Sequence, residues 1–531
     1  MKKNLLVILF ALFTTAIFAQ TLETVMWGNA KDLPKKTSFQ KIIGTNDDGF
    51  YALRSDDPSF ITRDKMWLEF VSYATMDVDE SNEIQFPAVG SKQTYFNDMF
   101  FVNNKLILFT SVADKGRSQN VLFMEYMNTN GTLKNKPKEV GVTPLSNLRE
   151  DGFKFKYLRN DNQIMLYYHK TYTKYNGEKF SIKIFDSNLK EVFADDLVFP
   201  KRLMERKNKL IQIERGKSGN IYMLFSVEAI STKTTRGKKK GDKFENVLVV
   251  YNTKKKEFQT YDVKMTKFVT KSVKFTLTDD ETVVLAGTFA PRTSKFEKQF
   301  TGMFYMKVNP KTEKIIPAKN IKETFYDIKR DKKLSATFNS ERTGSTQNDR
   351  YSFEVKSVEK LANGGFVVIA EQYFKSYRTY KDPQTKKEIK ILYHNYNDLL
   401  VGGIDKKGKF AWVKRFPKMQ YSIDDGGHFS SYATMINVNT VKLIYNDVDK
   451  NIKNENDDKT KTIKFNPKTS PKGVAVMHSI YTDGSIQKTP MFADKDGECV
   501  IIPKTLTPFT DGFLIATQKG KKYRFAQFIV E

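Results

Sequence analysis

A strand–turn–strand pattern that recurs along the whole chain constrains the fold more than any other feature of the sequence. One copy is GIDKKGKFAWVKRF, at 403–416, in which an apolar strand meets a turn and a second strand carries Trp412. Further copies cover 120–136, 179–199, 246–265, 302–321 and 473–492. Two of them turn at Asn-Gly or Asp-Gly, the pairs that supply the positive φ of tight hairpin turns. The pattern therefore predicts antiparallel β-hairpins throughout the chain.

Each hairpin belongs to a larger repeating unit, because a further apolar strand precedes it. Eight such strands occur, at 48–55, 103–111, 160–169, 218–226, 280–288, 363–371, 437–446 and 510–518. Another strand comes before each of them, so three or four antiparallel strands recur roughly every 60 to 80 residues. Short strands in a long-period repeat are typical of a β-propeller. The sequence predicts an all-β fold, a single β-propeller of about eight four-stranded blades. Seven blades with an insertion are the alternative, because the spacing stretches after residue 290.

The two ends of the chain offer one blade between them. After the last apolar strand only 519–531 remain, so the last unit lacks its outermost strand. The segment TLETVMWGN at 21–29 could supply it, with Trp27 in the place that Trp412 takes in its own hairpin. Such pairing would close the ring and remove the exposed sheet edges. We therefore expect the N-terminal strand to complete the last blade.

The first 19 residues have the pattern of a cleaved secretory signal peptide. Lys2 and Lys3 precede an apolar run at 5–12, and Ile-Phe-Ala at 17–19 resembles a small-residue cleavage site. The predicted domains are a signal peptide at 1–19 and one propeller at 20–531, without a later transmembrane helix. Cys499 is the only cysteine, so the fold has no intrachain disulfide. We expect a periplasmic protein that can associate with the outer membrane.

The hairpin at 403–416 also carries a resemblance to known proteins. Its form, Asp-x-x-Gly followed by Trp and an alternating strand, resembles the repeats of secreted bacterial β-propellers. With a leader that ends in Phe-Ala-Gln, the chain is similar to periplasmic propeller proteins of the Bacteroidota. The resemblance covers nearly the whole chain as a strand pattern and implies the propeller fold. It also implies an accessory role in the envelope machinery of that phylum, such as the type IX secretion translocon.

Positive charge gathers in one class of predicted loop. The chain has 88 Lys and Arg against 61 Asp and Glu, a formal charge of +27. In a propeller, the connections from the second to the third strand of every blade emerge on one face. The predicted connections rich in Lys and Arg are 113–120, 169–179, 230–243, 290–298, 373–390 and 447–472, of which 230–243, 373–390 and 447–472 are long. Such a face would steer an acidic partner and hold it through salt-sensitive contacts.

Two of these loops interleave tyrosines with basic side chains. Tyrosine and arginine are common anchors of protein interfaces, since they bury a large area at a low cost in conformational entropy. The alternative is that the loops are long hairpin arms whose tyrosines pack on the next blade. The predicted partner-binding residues are Arg236, Lys238, Lys239, Lys240, Lys375, Tyr377, Arg378, Tyr380, Tyr172 and Tyr175.

Catalytic, cofactor and metal motifs are not found in the sequence. The stretch 447–458 has the spacing of a calcium loop, but Ile452 stands where that loop needs glycine, which indicates a chance resemblance. Asp-Asp-Gly-Gly-His at 424–428 has metal-binding residue types but no second ligand cluster, and the sequence predicts a surface turn there. The four histidines form no metal motif. We expect no cofactor, no bound metal and, given the leader, no nucleic acid partner.

These observations favour a non-catalytic interaction or scaffold subunit of the periplasm. Its basic loop face would dock an acidic protein partner of the cell envelope, such as one within an outer-membrane secretion complex. The alternatives are a hydrolase that acts on glycans or peptides in the central channel, or a binder of anionic glycan or lipopolysaccharide. Propellers host enzymes as well as binding proteins, so the fold alone does not separate these functions.

Overall fold

The structure is a computed structural model of the protein. It describes residues 24–56, 65–145, 152–171, 179–204, 206–228, 232–233, 239–240, 244–265, 268–291, 302–321, 353–381, 383–423, 425–437, 440–452, 460–465, 473–492, 499–509 and 512–529. The predicted signal peptide at 1–19 lies outside these residues. In the described part, no helix is long and apolar enough to cross a membrane.

The described residues form eight sheets, each with four adjacent antiparallel strands, which we call blades 1 to 8. The strands of each blade are named a to d in the order in which they pair. Blade 1 comprises Ser38–Thr45, Gly49–Ser55, Met66–Ser72 and Val78–Glu83. Blade 2 comprises Tyr95–Val102, Lys105–Asp114, Gln119–Met127 and Lys138–Pro144. Blade 3 comprises Lys154–Leu158, Gln163–Thr171, Lys179–Phe185 and Glu191–Val198. Blade 4 comprises Asn208–Arg215, Ile221–Glu228, Phe244–Asn252 and Glu257–Val263.

The second half of the chain continues the same order. Blade 5 comprises Phe268–Leu277, Val283–Pro291, Gly302–Asn309 and Lys314–Ile321. Blade 6 comprises Phe353–Lys360, Phe366–Lys381, Glu388–Ile404 and Phe410–Phe416. Blade 7 comprises Ala433–Ile436, Thr440–Asp447, Val474–Tyr481 and Ile486–Pro490. Blade 8 comprises Thr507–Phe509, Gly512–Lys519, Lys522–Ile529 and, as its strand d, Thr24–Trp27.

Short elements complete the described structure. The extra strands are Lys31–Asp32, Ala88–Val89, Lys92–Gln93, Thr232–Lys233, Lys239–Lys240, Gln420–Ile423, Ile463–Phe465 and Val500–Ile501. The helices are single turns, Lys201–Met204 and Asp449–Ile452, with 3-10 turns at Arg159–Asp161 and Pro503–Thr505.

Apolar clusters fill the spaces between successive blades and close into a ring. Each of eight clusters joins one pair of neighbouring blades, in the order 1–2, 2–3, 3–4, 4–5, 5–6, 6–7, 7–8 and 8–1. The closing cluster packs Phe50 of blade 1 against Phe525 of blade 8, with ring centroids 5.2 Å apart. Burial of this apolar area is the main stabilising contribution available to a chain without disulfides. The predicted all-β propeller is confirmed, and the eight consecutive cores describe eight blades.

The predicted closure by the N-terminal strand is confirmed as well. Thr24–Trp27 pairs antiparallel with strand c of blade 8, with Thr24 opposite Ile529 and Trp27 opposite Ala526. The outermost strand of the last blade is therefore the first described strand of the chain. This strand covers the outer edge of Lys522–Ile529, which would otherwise be unpaired.

The hairpin at 403–416 forms strands c and d of blade 6. Gly408 adopts a φ of +75° and donates its N–H to the carbonyl of Asp405 at 2.9 Å. Trp412 leaves the turn on strand d, and its Nε1 donates to the carbonyl of Thr482 in blade 7 at 3.0 Å. The hairpin thus ties its own blade to the next one.

Chain direction defines two faces of the disc. The b–c and d–a connections emerge on one face, here called the top face, and the a–b and c–d turns emerge on the other. Strands a lie next to the axis, since side chains on one strand a form hydrogen bonds with strand a of the next blade. Lys156 of blade 3, for example, donates to the carbonyl of Ile213 of blade 4 at 3.1 Å. Strands d are the most exposed, as Glu191–Val198 illustrates. Side chains of strands a therefore line the central channel.

Candidate functional site

One b–c connection is a long β-hairpin that projects from the top face. Strands b and c of blade 6 have 16 and 17 residues, whereas strand b of blade 1 has 7. Within the blade, strand c pairs with strand d only from Leu399 onwards. Residues 373–396, which we call the arm, continue the ladder beyond it, from Tyr373 opposite Tyr396 to Lys381 opposite Glu388. The sequence prediction of a loop at 373–390 is therefore wrong, because most of that segment is paired strand.

The arm exposes aromatic and aliphatic side chains. Tyr377 is 58% exposed, Tyr380 49% and Ile389 44%. Tyr380 lies opposite Ile389, and Tyr377 lies opposite Leu392. Because side chains alternate along a strand, Tyr377 and Tyr380 belong to opposite surfaces of the arm. The alternative that these tyrosines pack on the next blade is contradicted by their exposure.

Basic side chains surround these apolar positions. The exposed lysines of the arm are Lys375, Lys381, Lys386, Lys387 and Lys390. Of its acidic residues, only Glu388 is described. None of the five lysines forms an ion pair with any residue that the structure describes. Arg378 is part of the arm's strand, while its side chain lies outside the described set. The arm therefore presents an aromatic and strongly basic surface.

A buried polar network holds the root of the arm. Lys418 and Glu371 are both 0% exposed and form an ion pair of 2.7 Å. The Lys418 ammonium also donates to the carbonyl of Tyr396 at 3.2 Å, and Ser431 donates to the other oxygen of Glu371 at 2.7 Å. Burial lowers the pKa of Lys418, while the carboxylate of Glu371 opposes this shift. Because Tyr396 belongs to the arm, the network fixes where the arm leaves the blade.

An added strand supports the same root. Gln420–Ile423 pairs with the arm over Tyr393 to Tyr396, and Ile463–Phe465 pairs in parallel with its outer edge. Gln420 donates to the carbonyl of Asn446 at 2.8 Å, so the support reaches into blade 7. The lower part of the arm is thus a braced extension of the sheet.

The segment at 424–428 differs from its prediction. The predicted turn forms in its described part, 425–428, but Asp425 and His428 are each only 4% exposed, so these two side chains are buried and not on the surface. Asp425 accepts a hydrogen bond from the N–H of Gly427 at 2.8 Å, and burial raises the pKa of its carboxyl. Burial also holds the pKa of His428 well below its usual range. Among the described residues, no three His, Cys, Asp or Glu side chains form a group that could hold a metal ion.

The calcium-like segment is a structural turn in its described part. Asp447 is 1% exposed and accepts a hydrogen bond from the side chain of Asn451 at 2.6 Å. Asn451 in turn donates to the carbonyl of Lys461 at 2.8 Å. Burial raises the pKa of Asp447 to about 6. These hydrogen bonds hold the turn, and only one oxygen of the Asp447 carboxylate takes part in them.

The other predicted partner-binding residues are only partly described. Lys239 and Lys240 form a short strand that pairs with Thr232 and Lys233, and their side chains lie outside the described residues. Arg236, Lys238, Tyr172 and Tyr175 lie outside the described residues altogether. The structure therefore brings Lys375, Tyr377 and Tyr380 together on the arm, and the remaining predictions stay predictions.

A polar cavity lies in the central channel, and the sequence analysis missed it. Its volume is about 540 Å³, and strands a of blades 3 to 6 line it. The charged lining residues are Lys156, Glu214, Arg215, Lys274, Lys356 and Glu359. Small-molecule sites usually have volumes of roughly 300 to 1,000 Å³, so the cavity is large enough for a ligand. The sequence offered one indication of this cavity, the alternation of charged and apolar residues along these strands.

The charged groups of the cavity influence one another. Burial lowers the pKa of Lys274, the carboxylates of Glu354 and Glu214 oppose this shift, and the ammonium groups of Lys356 and Lys156 add to it. Burial raises the pKa of Glu359, and the carboxylate of Glu214 adds to this increase. Coupled groups with shifted pKa values are frequent at ligand-binding and catalytic sites, although structural ion pairs also produce them.

Comparisons with known proteins carry no functional assignment. No protein-family model and no curated protein matches the chain. Among solved structures, the Dos1 propeller aligns over 95% of this chain and 95% of its own, with a TM-score of 0.42 and 9% identity. Polysaccharide lyase Uly1 aligns over 84% of this chain and 94% of its own, with a TM-score of 0.34 and 9% identity. Drosophila Plexin A in complex with Semaphorin 1b aligns over 96% and 88%, with a TM-score of 0.31 and 6% identity.

Proposed function

We propose that this protein is a non-catalytic docking subunit whose arm binds an acidic segment of a protein partner. The observation that carries the proposal is the composition of the arm. Its five exposed lysines make no ion pair with a described residue, and they surround the exposed side chains of Tyr377, Tyr380 and Ile389. Exposed aromatic side chains supply interface area, while unpaired lysines supply attraction and selectivity for an acidic surface.

The braced root makes the arm suited to docking. A hairpin that left the blade freely would lose conformational entropy on binding, and part of the binding energy would offset that loss. Here the ion pair between Lys418 and Glu371 and the added strand at Gln420–Ile423 fix the lower part of the arm before a partner arrives. In the described part of the chain, the upper part of the arm pairs with no third strand, so its edges and its exposed side chains are available there for contact.

The proposal includes a location in the cell envelope. The signal-like sequence at 1–19 and the resemblance to periplasmic propellers of the Bacteroidota support this location. A partner in an outer-membrane secretion complex, such as the type IX translocon, would be consistent with both. Association through lysines predicts a complex that high salt weakens.

The test is recovery of partners from gently solubilised envelopes with the tagged protein at low and high salt. We expect stoichiometric envelope proteins at low salt and their loss at high salt. Lys386→Glu/Lys387→Glu should abolish recovery. The matched control, Lys254→Glu/Lys255→Glu, makes the same charge change at an exposed c–d turn of blade 4 on the opposite face, and should leave recovery intact. Equal recovery by both double variants would contradict docking through the arm.

A hydrolase that acts in the channel is the second candidate function. One observation favours it: Glu359 has a raised pKa and shares a cavity with Glu214. A carboxyl group with a raised pKa is suited to general acid catalysis. A screen of glycan and peptide substrates with the parent protein and Glu359→Gln tests this candidate. Turnover that the substitution abolishes would replace the docking function with an enzymatic one.

A further inference from the structure

Several lysines on strands a pair with a carboxylate. Lys41 pairs with Asp98 of the next blade, and Lys156 pairs with Glu214 of the next blade. Lys356 pairs with Glu354 on its own strand, at 2.7 Å. Lys274, on strand a of blade 5, lines the same cavity as Lys156 and Lys356.

Lys274 departs from this pattern. Its ammonium donates to the carbonyl of Ile211 at 3.1 Å and forms no ion pair with a described residue. It nevertheless lies close enough to Lys156 and Lys356 for both to disfavour its charged form. The carboxylates of Glu354 and Glu214 favour its charged form from a distance, but among the described residues its ammonium lacks the direct counter-ion that Lys156 and Lys356 have.

We propose that the cavity binds a sugar acid, a hexuronate residue, with its carboxylate on Lys274. The cavity of about 540 Å³ lies where the three lysines converge, so an anion placed there would be close to all of them. The binding site is independent of the arm and of the docking function, because strands a of blades 3 to 6 build it and the arm emerges from strands b and c of blade 6.

The lining favours a single negative charge accompanied by hydroxyl groups. Glu214 and Glu359 line the same cavity, and their carboxylates would repel the second charge of a phosphate dianion. The same carboxylates accept hydrogen bonds from hydroxyls, and Thr276 and Ser357 add hydroxyl groups of their own. A monoanion with several hydroxyls uses both features, whereas an aliphatic carboxylate would use only the lysines.

The lowered pKa of Lys274 has a consequence for binding. A carboxylate at hydrogen-bond distance favours the ammonium form, so binding should take up a proton wherever free Lys274 is partly neutral. Affinity should therefore decrease as the pH rises through the lowered pKa. This pH dependence distinguishes a ligand on Lys274 from one held by Arg215, whose charge does not change in this range.

The experiment is a calorimetric titration of the full chain with methyl glucuronide and with methyl glucoside, which differ only in the carboxylate. We expect the glucuronide to bind at least about tenfold more tightly, since a charge-assisted hydrogen bond has a net effect of about 10- to 100-fold in affinity. Inorganic phosphate should not compete. Lys274→Met should weaken glucuronide binding by a similar factor, and Lys274→Arg should retain part of it.

Control variants separate this site from the rest of the protein. Lys264→Met removes an exposed lysine after strand d of blade 4 and should leave glucuronide binding unchanged. Lys386→Glu/Lys387→Glu on the arm should also leave it unchanged, so failure of the docking function would not affect the result. Far-UV circular dichroism checks the fold of each variant. Equal affinity for glucuronide and glucoside, competition by phosphate, or unchanged binding by Lys274→Met and Lys274→Arg would overturn the proposal.

Discussion

Lys418 and Glu371 form an ion pair of 2.7 Å from which solvent is fully excluded, at the root of the arm. Two charges removed from water are tolerated only when each has a partner and its remaining hydrogen-bonding capacity is satisfied. Here Gln420, Tyr396 and Ser431 complete the network. The pair therefore links the stability of blade 6 to the position of the arm.

Removal of one member of this pair should destabilise the protein strongly. Lys418→Met leaves the carboxylate of Glu371 buried without its counter-ion, and we expect the free energy of unfolding in urea to fall by about 3 to 5 kcal/mol. The control is Lys65→Met, because Lys65 and Glu83 form an exposed pair of 3.7 Å, whose loss should change stability by less than about 1 kcal/mol. Similar effects of the two substitutions would contradict the importance of burial.

His478 should contribute to acid sensitivity. It is buried, its Nε2 lies 3.0 Å from the hydroxyl of Tyr445, and burial together with Lys488 lowers its pKa to about 3. The unfolded chain takes up a proton near pH 6.5, whereas the folded protein does so only near pH 3. The unfolded state thus binds more protons between these values, and the folded state loses stability as the pH falls through this window.

The measurement compares urea unfolding at pH 6.5 and pH 4.5. His478→Gln should reduce the loss of unfolding free energy between these values by roughly 2 kcal/mol, since two pH units correspond to about 2.7 kcal/mol per proton. Tyr445→Phe keeps the aromatic ring, and it should retain the parent's dependence because burial is the main cause of the lowered pKa. An unchanged dependence in His478→Gln would show that other groups dominate.

Much of the fold was predictable because its determinants are local or repetitive. Alternating apolar residues and turn glycines such as Gly408 identify each hairpin, and the eight predicted second strands all occur as strands b. Ring closure followed from an incomplete last unit and a strand-like segment around Trp27. These signals depend on strand periodicity and on turn geometry, which sequence shows directly.

The sites were less predictable because they depend on distant contacts. Lys274 and Glu359 meet only because strands a of several blades converge on the axis. The burial of His428 depends on how the segment after blade 6 packs over its neighbours, which no local pattern reveals. The arm was partly predictable. Its lysines suggested a loop, while the alternation of aromatic and polar residues around Tyr377 and Tyr380 was compatible with the strand that it forms.

Gly403 should be intolerant of a side chain. A Cβ added there would lie 2.3 Å from Cε2 of Trp412, so the indole would have to move and its hydrogen bond to Thr482 would be lost. We expect Gly403→Ala to lower the free energy of unfolding by about 1 to 3 kcal/mol, as other overpacked sites do. Gly116→Ala is the control, because the nearest atom to its added Cβ is 3.5 Å away. Urea unfolding followed by tryptophan fluorescence measures both, and equal stabilities would refute the packing argument.

Trp27 should contribute to closure of the ring through its contacts with the last two blades. Its ring centroid lies 4.7 Å from that of Phe492, and the guanidinium of Arg524 lies 3.7 Å above the indole. Trp27→Ala removes both contacts from the strand that completes blade 8, and we expect a loss of about 2 to 4 kcal/mol in the free energy of unfolding. The loosened strand should also expose the edge of Lys522–Ile529, which favours association between molecules.

The neighbouring residue Met26 is 41% exposed, so Met26→Ala should change stability by less than about 0.5 kcal/mol. Urea unfolding and light scattering test the pair of variants, and a Trp27→Ala protein that remains as stable and monodisperse as Met26→Ala would contradict the role of the N-terminal strand in closing the ring.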